Sequence, residues 1–289
     1  MRTCKKPRKS SNNWLLLDIF IFFYKQIYIN TKADEIERKM KAIILAAGAS
    51  SRLVQLTDDK PKCMLDVGGK TILQWQLDVF RECGINDIVV VRGYMKDKIN
   101  YPGIRYIYNL NYRRNNILES LMYAEGEMDS EFIVTYSDIL YDRSVVEKLL
   151  QSKADVSLIV DTDWRTHYVG RTLHPIAEAE KVVVEGGKIT EIGKKVDEKK
   201  AHGEYIGLAK FSKFGAQTLR NEFERIRGQL GDAPFHEAAT LEKAYLTDMI
   251  QELIDRGYDV VNVDIKGGWI EIDTPQDLQR AEKEYRSAV

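Results

Sequence analysis

The feature that most constrains this chain is a strand followed by a loop of small residues and two cations, within Met40 to Leu73. The apolar run Ala42 to Ala46 is too short for a core helix and is typical of a buried parallel strand. Backbone N–H groups of a small-residue loop can approach an anion closely, and the loop that follows consists of Ala47, Gly48, Ala49, Ser50, Ser51 and Arg52. With Lys62 further on, the segment predicts a triphosphate site with two positive charges.

Composition excludes several classes of protein. The 289 residues are 44% hydrophobic and 30% charged, which is enough for one large α/β domain with a sizeable core. The formal net charge of −1 argues against a nucleic-acid partner, because such proteins usually carry a basic excess. Without a CxxC spacing, we expect Cys4, Cys63 and Cys83 to be reduced thiols of a cytoplasmic protein, with no zinc site. No ligand-like spacing joins the histidines, which we interpret as surface or packing residues: His167, His174, His202 and His236.

Residues 1–39 differ in composition from the remainder of the chain. An apolar and aromatic run from Trp14 to Ile29 contains Asp18 and Lys25, is short for a membrane span of about 20 residues, and is not followed by a signal-peptide cleavage site. We interpret residues 1–39 as a non-conforming extension outside the fold, translated from a start codon placed too early. A membrane-surface anchor at residues 14–29 and a genuine but dispensable extension are the alternatives. We expect the functional domain to be residues 40–289, beginning at Met40.

Strands and helices alternate through the first half of the domain. Apolar runs predict strands at 87–92, 103–108, 131–136 and 156–160, and helical spacing predicts helices at 71–83, 115–124 and 142–150. This alternation predicts a Rossmann-like α/β fold, with a mostly parallel sheet and helices on both faces. Because ligands bind at the carboxyl ends of such strands, the Ala47 loop, Gly93-Tyr94 and Ser137-Asp138 are expected to meet at one edge.

From Asp161 onward the pattern changes. Gly186-Gly187 separates runs at 177–185 and 188–192, which predicts a hairpin. Further strands are predicted at 205–211 and 258–264, and helices at 213–227 and 247–256. We expect Thr274 to cap the last helix and Pro275 to open it. The second half therefore predicts a small mixed-sheet substrate region within one catalytic domain.

Two aspartates are candidates for a metal site. Asp138 directly follows a strand and Asp273 directly precedes a helix, places where an isolated aspartate is often only a cap or turn former. A triphosphate site, however, needs a hard divalent cation, which takes carboxylate oxygens. Glu271 lies two residues before Asp273, so the two side chains share a face of a strand. We predict Mg²⁺ at Asp138 and Asp273, with Glu271 as an accessory ligand.

The string LAAGASSRL, followed by Pro61-Lys62, resembles the signature L-A-A-G-x-x-[ST]-R-[LM] with P-K of nucleotidyltransferases that make activated sugars and activated phosphoalcohols. Neither a Walker loop nor a G-x-G-x-x-G fingerprint is present. The resemblance covers Met40 to about Tyr285 and implies the nucleotide-diphospho-sugar transferase fold, with Arg52 and Lys62 holding the triphosphate. It also implies metal-binding acidic residues at Asp138 and in the D-x-D-T-P-like stretch 271–275, where Glu271 replaces the first aspartate.

The resemblance further implies where the base and the acceptor bind. The segment 115–120 matches one that lies against the base, which makes Asn116 and Ser120 nucleotide-binding candidates beside Gly93 and Tyr94. Lys194 matches the phosphate-binding lysine of a Glu-Lys pair in sugar-1-phosphate members of the family. Gly193 occupies the position of the glutamate that binds a sugar hydroxyl, which argues against a sugar acceptor.

Aromatic residues indicate an acceptor that carries an ammonium group. Ring faces contribute on the order of 0.5–2 kcal/mol per cation contact, although scattered aromatic residues are commonly core residues. The candidates are Trp164, Tyr168, Tyr205 and Trp269. The stretches DTDW, NNILESL and WIEIDTP resemble the phosphocholine and 2-aminoethylphosphonate cytidylyltransferase branch, including domains attached to phosphoenolpyruvate mutases. Arg165 and Arg171 keep non-cationic phosphonates open as acceptors.

We therefore expect a Mg²⁺-dependent cytidylyltransferase that transfers CMP from CTP to a small phosphoalcohol or phosphonate and releases pyrophosphate. One alternative is a sugar-1-phosphate nucleotidyltransferase that uses UTP, dTTP or GTP. The other is a non-catalytic regulatory protein of the same fold. The presence of Arg52, Lys62, Asp138 and Asp273 argues against this last alternative.

Overall fold

The structure, a computed structural model, describes residues 40–49, 52–53 and 56–285. In these residues the strands are β1 (Lys41–Ala46), β2 (Asp66–Val67), β3 (Lys70–Thr71), β4 (Asp87–Arg92), β5 (Arg105–Tyr108), β6 (Phe132–Tyr136), β7 (Ile139–Tyr141), β8 (Val156–Asp161), β9 (Lys181–Glu185), β10 (Lys188–Gly193), β11 (Gly203–Phe211), β12 (Val260–Ile265) and β13 (Trp269–Glu271). The α-helices are α1 (Ile72–Glu82), α2 (Ile117–Met122), α3 (Arg143–Gln151), α4 (Lys213–Gln229), α5 (Leu246–Asp255) and α6 (Pro275–Tyr285). The predictions for residues 1–39, Ser50 and Ser51 lie outside the described residues.

The central sheet is mixed and mostly parallel where the strand ends carry the candidate site. The sheet has the order β10-β9-β11-β6-β1-β4-β5, and β8 joins it between β11 and β12. β1 runs parallel to both β4 and β6, and β4 runs parallel to β5. β11 runs antiparallel to β6 and β8 and links the parallel strands to the β9–β10 hairpin. The predicted fold class, including the small mixed-sheet region, is confirmed.

Helices cover both faces of this sheet, as the residues of β1 demonstrate. All six of its residues are buried, and successive side chains of a strand point to opposite faces. Ile43 and Leu45 pack in one apolar cluster with residues of α2, α4 and α5. Ala42 and Ile44 pack in a second cluster with residues of α1 and α3. Burial on both faces explains why this strand is a continuous apolar run.

A small two-stranded sheet brings the C-terminal acidic stretch to the end of β6. β13 pairs antiparallel with β7, with Trp269 opposite Tyr141 and Glu271 opposite Ile139. The next backbone N–H, that of Ile272, donates to the carbonyl oxygen of Asp138 at 2.9 Å. The sequence does not predict β7, and this pairing determines the position of the candidate metal ligands.

Local sequence signals define most element ends. The Thr71 hydroxyl accepts a hydrogen bond from the Gln74 backbone N–H at 3.0 Å and caps α1, and Gly84 follows that helix with φ of 79°, which favours glycine. The predicted first hairpin strand starts too early, because residues Ile176–Glu178 form a short 3-10 turn after Pro175 and β9 begins at Lys181. None of the helices in the described part of the chain combines the length and apolar character that crossing a bilayer requires.

Two glycines of α4 provide a matched test of packing. A Cβ atom at Gly215 would overlap the carbonyl oxygen of Asp155, whereas one at Gly228 would meet no atom within 4 Å. We expect Gly215→Ala to lower the free energy of unfolding by about 1–3 kcal/mol through overpacking. Gly228→Ala should raise it by roughly 0.5–1 kcal/mol through helix propensity. Denaturant unfolding of both variants measures this, and equal effects would contradict the tight packing at Asp155.

Candidate active site

The segments that follow β1, β4 and β6 meet at one edge of the sheet, as expected. The Tyr94 backbone N–H donates to the carbonyl oxygen of Ala47 at 3.0 Å. A Cβ atom at Gly93 would lie 2.5 Å from that same oxygen and 2.7 Å from the Tyr112 Cβ atom. Gly93 is therefore needed for the close approach of the loops that follow β1 and β4. Gly93 and Tyr94 pack against the backbone of the small-residue loop.

A cavity of about 290 Å³ opens at this edge. Many of the predicted site residues line it: Gly48, Ala49, Arg52, Lys62, Asn116, Asp138, Lys194, Tyr205, Glu271 and Asp273. Other predicted residues that the structure describes are not part of its lining: Ala47, Gly93, Tyr94, Ser120, Trp164 and Tyr168. The cavity wall also contains residues that the sequence did not assign to a site, among them His174, Glu178, Glu180 and Glu204.

Lys62 lies between the two predicted metal-binding aspartates. Its Nζ atom is 2.8 Å from Asp138 Oδ2, and it also forms a hydrogen bond with Asp273 Oδ1. Burial disfavours the ammonium charge, but the negative charges of Asp138 and Asp273 outweigh this effect and raise the pKa of Lys62. Lys62 is therefore positively charged at neutral pH.

Asp273 has cationic or hydrogen-bonding neighbours on both of its oxygens. Arg52 Nη1 lies 3.0 Å and His174 Nδ1 lies 3.2 Å from Asp273 Oδ2. Burial alone would raise the pKa of this carboxyl, but the hydrogen bond with His174 and the charge of Lys62 hold the pKa of Asp273 well below its usual range. Asp273 is thus an ionised carboxylate, which is the form that a metal ion binds.

His174 shows that one prediction was wrong, since it is neither a surface residue nor a simple packing residue. It is 3% exposed and lines the cavity. His174, Glu271 and Asp273 each offer one potential metal-ligand atom, and these atoms lie within 4.8 Å of one another. The three residues could therefore hold a metal ion. No sequence spacing reveals this, because His174 is separated from Asp273 by about a third of the chain.

Arg171 holds Glu271 in place and is not available for an acceptor. Its Nη2 atom donates to Glu271 Oε2 at 2.9 Å, and its Nε atom donates to Asp277 Oδ1 at 2.7 Å. The side chain is only 4% exposed. The suggestion that Arg171 binds an anionic acceptor group is therefore wrong, and the residue fixes the segment that carries His174 against α6.

A second group of carboxyls lines the cavity near Lys194, the residue predicted to bind the acceptor. Lys194 Nζ is 3.0 Å from Glu178 Oε2 and 4.5 Å from the centre of the Tyr245 ring. Glu180 accepts a hydrogen bond from the Tyr136 hydroxyl at 3.3 Å, and Glu204 Oε1 accepts one from Tyr168 at 2.6 Å. Burial raises the pKa of both Glu180 and Glu204 to about 8.

The predicted aromatic site forms only in part. Trp164 is fully buried outside the cavity lining, and the Arg165 guanidinium carbon lies 4.4 Å from its ring centre. Tyr168 is also outside the cavity lining, and its hydroxyl donates a hydrogen bond to Glu204. Tyr205 and Trp269 do line the cavity, and the Trp269 Nε1 atom donates to Asp161 Oδ2 at 2.7 Å.

The segment predicted to contact the base is held by its own hydrogen bonds. The Asn116 backbone N–H donates to the Glu242 carbonyl oxygen at 2.8 Å, and Asn116 lines the cavity beside Ile117. The Ser120 hydroxyl accepts from Asn109 Nδ2 at 2.9 Å and donates to the Asn116 carbonyl oxygen at 3.1 Å. Ser120 thus stabilises the turn that presents Asn116.

A mostly parallel sheet presents a small-residue loop, two cations and acidic residues to one cavity. This arrangement is that of a nucleotidyltransferase. Residues 42–189 match the family model described as MobA-like NTP transferase domain, and the chain belongs to that family. This finding confirms the predicted family and enzyme class.

Similar proteins include both cytidylyl- and uridylyltransferases. The CTP:phosphoglutamine cytidylyltransferase of Campylobacter jejuni is 32% identical over 252 residues, covering 83% of this chain and 98% of that protein. A UTP–glucose-1-phosphate uridylyltransferase of Haloferax volcanii is 27% identical, covering 84% and 96%. The solved structure of CTP:phosphocholine cytidylyltransferase from Streptococcus pneumoniae shares the fold, with a TM-score of 0.65, 24% identity, and coverage of 85% and 99%.

The buried Glu204 carboxyl predicts a pH-dependent stability. Between pH 4.5 and about 8, the folded protein keeps a proton on Glu204 that the unfolded chain has already lost. The free energy of unfolding of the wild type therefore falls as the pH rises through this window. Glu204→Gln removes this loss, and its stability relative to wild type should grow by roughly 1 kcal/mol per pH unit. Unfolding at pH 5, 6.5 and 8 measures it, with exposed Glu191→Gln as the control. A pH-independent difference would contradict the assignment.

Proposed function

We propose that this enzyme is a Mg²⁺-dependent cytidylyltransferase that transfers CMP from CTP to a small phosphorylated or phosphonate acceptor and releases pyrophosphate. The observation that carries the proposal is the position of Lys62 between Asp138 and Asp273, beside Gly48 and Ala49 of the small-residue loop. A single cavity thus contains cations for phosphate oxygens and carboxylates for a divalent ion.

The chemistry requires positioning and charge neutralisation more than proton transfer. An acceptor phosphate oxygen is largely ionised near neutral pH, so it can attack the α-phosphorus of CTP without a strong general base. The α-phosphorus–oxygen bond to the β-phosphate breaks, and pyrophosphate takes the bonding electrons. Arg52 and Lys62 are the cavity cations that would stabilise the charge of the triphosphate.

The carboxylates fit a hard divalent cation. Asp138 and Asp273 offer oxygens on either side of Lys62, and Glu271 and His174 lie beside Asp273. The carboxylate oxygens of this group suit Mg²⁺, which prefers oxygen ligands. Bound there, Mg²⁺ would offset the negative charge shared by the nucleotide and the acceptor phosphate. Lys62 and Arg52 compensate these carboxylates within the protein.

CTP is favoured because the relative from Campylobacter jejuni, similar over nearly its whole length, is named as CTP-dependent.

A sugar acceptor is disfavoured at Gly193. This residue has φ of 152°, and a Cβ atom there would lie 2.6 Å from Glu237 Oε1. The Glu237 carboxylate accepts hydrogen bonds from the backbone N–H groups of Lys194 and Lys195. A side chain at position 193 is therefore strained, and glycine itself offers no side-chain group to bind a sugar hydroxyl.

Pyrophosphate release by the full chain tests the proposal. CTP, UTP, dTTP, GTP and ATP are each paired with phosphocholine, 2-aminoethylphosphonate and glucose-1-phosphate in the presence of Mg²⁺. We expect kcat/KM to be at least about tenfold higher with CTP than with the other nucleotides, and only with the small acceptors. Chelation of Mg²⁺ should abolish turnover and its readdition restore it. Preferred turnover of UTP or dTTP with glucose-1-phosphate would overturn the proposal.

A further inference from the structure

The backbone around Lys194, the residue predicted to bind the acceptor phosphate, is held by two charged side chains. Glu237 Oε2 accepts a hydrogen bond from the Lys194 backbone N–H at 3.0 Å, and Glu237 Oε1 accepts one from the Lys195 backbone N–H at 2.7 Å. Lys181 Nζ donates to the Lys194 carbonyl oxygen at 2.5 Å. Both backbone groups of Lys194 therefore have a charged partner, and charge-assisted hydrogen bonds are stronger than neutral ones.

These two side chains act on the backbone and not on another charged group. In the part of the chain that the structure describes, the Glu237 carboxylate forms no ion pair, and its hydrogen bonds come from the two backbone N–H groups. Lys181 is 2% exposed, and its ammonium donates there to the carbonyl oxygens of Ala179 and Lys194 without a carboxylate in ion-pair distance. Their shared effect is to fix the peptide groups at Lys194.

Glu237 also fills the space that a side chain at position 193 would need. A Cβ atom at Gly193 would lie 2.6 Å from Glu237 Oε1 and 2.9 Å from the carboxyl carbon of Glu237. Glu237 reaches this place from a tight turn in which the backbones of Phe235 and Ala238 pair with each other. Because Gly193 has no side chain, there is room for a carboxylate that binds the backbone of the next two residues.

One buried carboxylate connects this turn to the cavity wall. Asp248 is 2% exposed, and it accepts hydrogen bonds from the Glu237 backbone N–H at 2.8 Å and from the Tyr245 backbone N–H at 2.7 Å. The Tyr245 ring lines the cavity, and its centre lies 4.5 Å from the Lys194 Nζ atom. Asp248 therefore fixes both the residue that holds the Lys194 backbone and the ring against which the Lys194 side chain lies.

The ion pair of Lys194 leaves its ammonium accessible to a ligand. The side chain of its partner Glu178 is 38% exposed, and Glu178 Oε2 also lies 3.8 Å from Arg52 Nη2. Ion pairs between partly exposed side chains contribute little free energy, so a phosphate can replace Glu178 at the ammonium. Glu237 and Lys181 are not part of the cavity lining, and their backbone contacts do not compete with such a ligand.

We propose that Glu237 is a positioning residue for the second substrate: opposite Lys181, it holds the Lys194 backbone so that the Lys194 ammonium is directed at the acceptor phosphate. The inference rests on the proposed function, because it concerns the acceptor of that same reaction. A lysine that is already in position loses less conformational freedom when it binds. The contacts of Glu237 thus lower the KM for the acceptor and do not affect the KM for CTP.

The variant Glu237→Gln tests these contacts with a side chain of the same shape. The amide keeps one oxygen for a backbone N–H, but it has no charge, and its NH2 group cannot accept the second hydrogen bond. Pyrophosphate release is measured with CTP, Mg²⁺ and the best of the acceptors named above. We expect the acceptor KM to rise about tenfold and the CTP KM to stay within about twofold of wild type.

The matched control is Glu191→Gln, the same change at an exposed position of β10 outside the cavity lining. It should leave both KM values as in wild type. An unchanged acceptor KM in Glu237→Gln would overturn the inference. An equal rise in both KM values would also overturn it, because that result indicates a general structural role.

A double-mutant cycle separates positioning of Lys194 from an effect elsewhere in the protein. Lys194→Ala removes the side chain that Glu237 is proposed to position. In this background, Glu237→Gln should change kcat/KM for the acceptor by less than about twofold, compared with about tenfold in the wild-type background. A tenfold effect that persists in the Lys194→Ala background would contradict the inference.

Binding of inorganic phosphate decides the inference independently of turnover. Phosphorus NMR follows the titration in the presence of Mg²⁺ and a non-reactive CTP analogue. We expect the dissociation constant to be about tenfold higher for Glu237→Gln and Lys194→Ala than for wild type and Glu191→Gln. Equal binding by all four proteins would overturn the inference. Absence of CTP turnover with every acceptor overturns the proposed function alone, and the phosphate titration then still tests the role of Glu237.

Discussion

The charge pairing of Lys62 with Asp138 and Asp273 is the interaction on which the site depends. It joins three segments that are far apart in the chain: the turn after the small-residue loop, the end of β6, and the stretch before α6. The backbone hydrogen bond from Ile272 to Asp138 and the β7–β13 pairing bring the two aspartates together. Lys62 compensates their negative charge, so ionised carboxylates can persist in a partly buried place.

The cavity combines two electrostatic environments. In one, Arg52 and Lys62 pair with the carboxylates of Asp138 and Asp273. In the other, burial raises the pKa of Glu180 and Glu204 to about 8, so both protonate readily. The first group of carboxylates is compensated by neighbouring cations, whereas the second group is neutralised by protonation. These buried carboxyls lower the free energy of unfolding as the pH rises toward neutrality, which is a frequent consequence of placing ionisable groups in a cavity.

The local parts of the fold and the site were predictable from sequence. β1, the loop after it, Asp138 and Asp273 carry local signals: an apolar run, small residues, and acidic residues at element ends. His174, Glu180 and Glu204 carry no such signal, because their positions depend on the Arg171–Asp277 contact and on the pairing of β9 with β11. The prediction that Trp164 binds the substrate was wrong for a related reason. The residue type alone does not distinguish an aromatic residue of a binding site from one of the core, and the structure shows Trp164 buried against Arg165.

The most direct test of the central role of Lys62 is the turnover number of Lys62→Met with CTP and the best acceptor. The matched control is Lys60→Met, which removes a lysine from the same loop. Among the described residues Lys60 pairs with Asp59, and it lies outside the cavity lining. The account predicts that kcat falls by about 10²- to 10³-fold for Lys62→Met, because a preorganised charge is lost, and stays near wild type for Lys60→Met. A folded Lys62→Met enzyme that retains wild-type kcat would contradict the account.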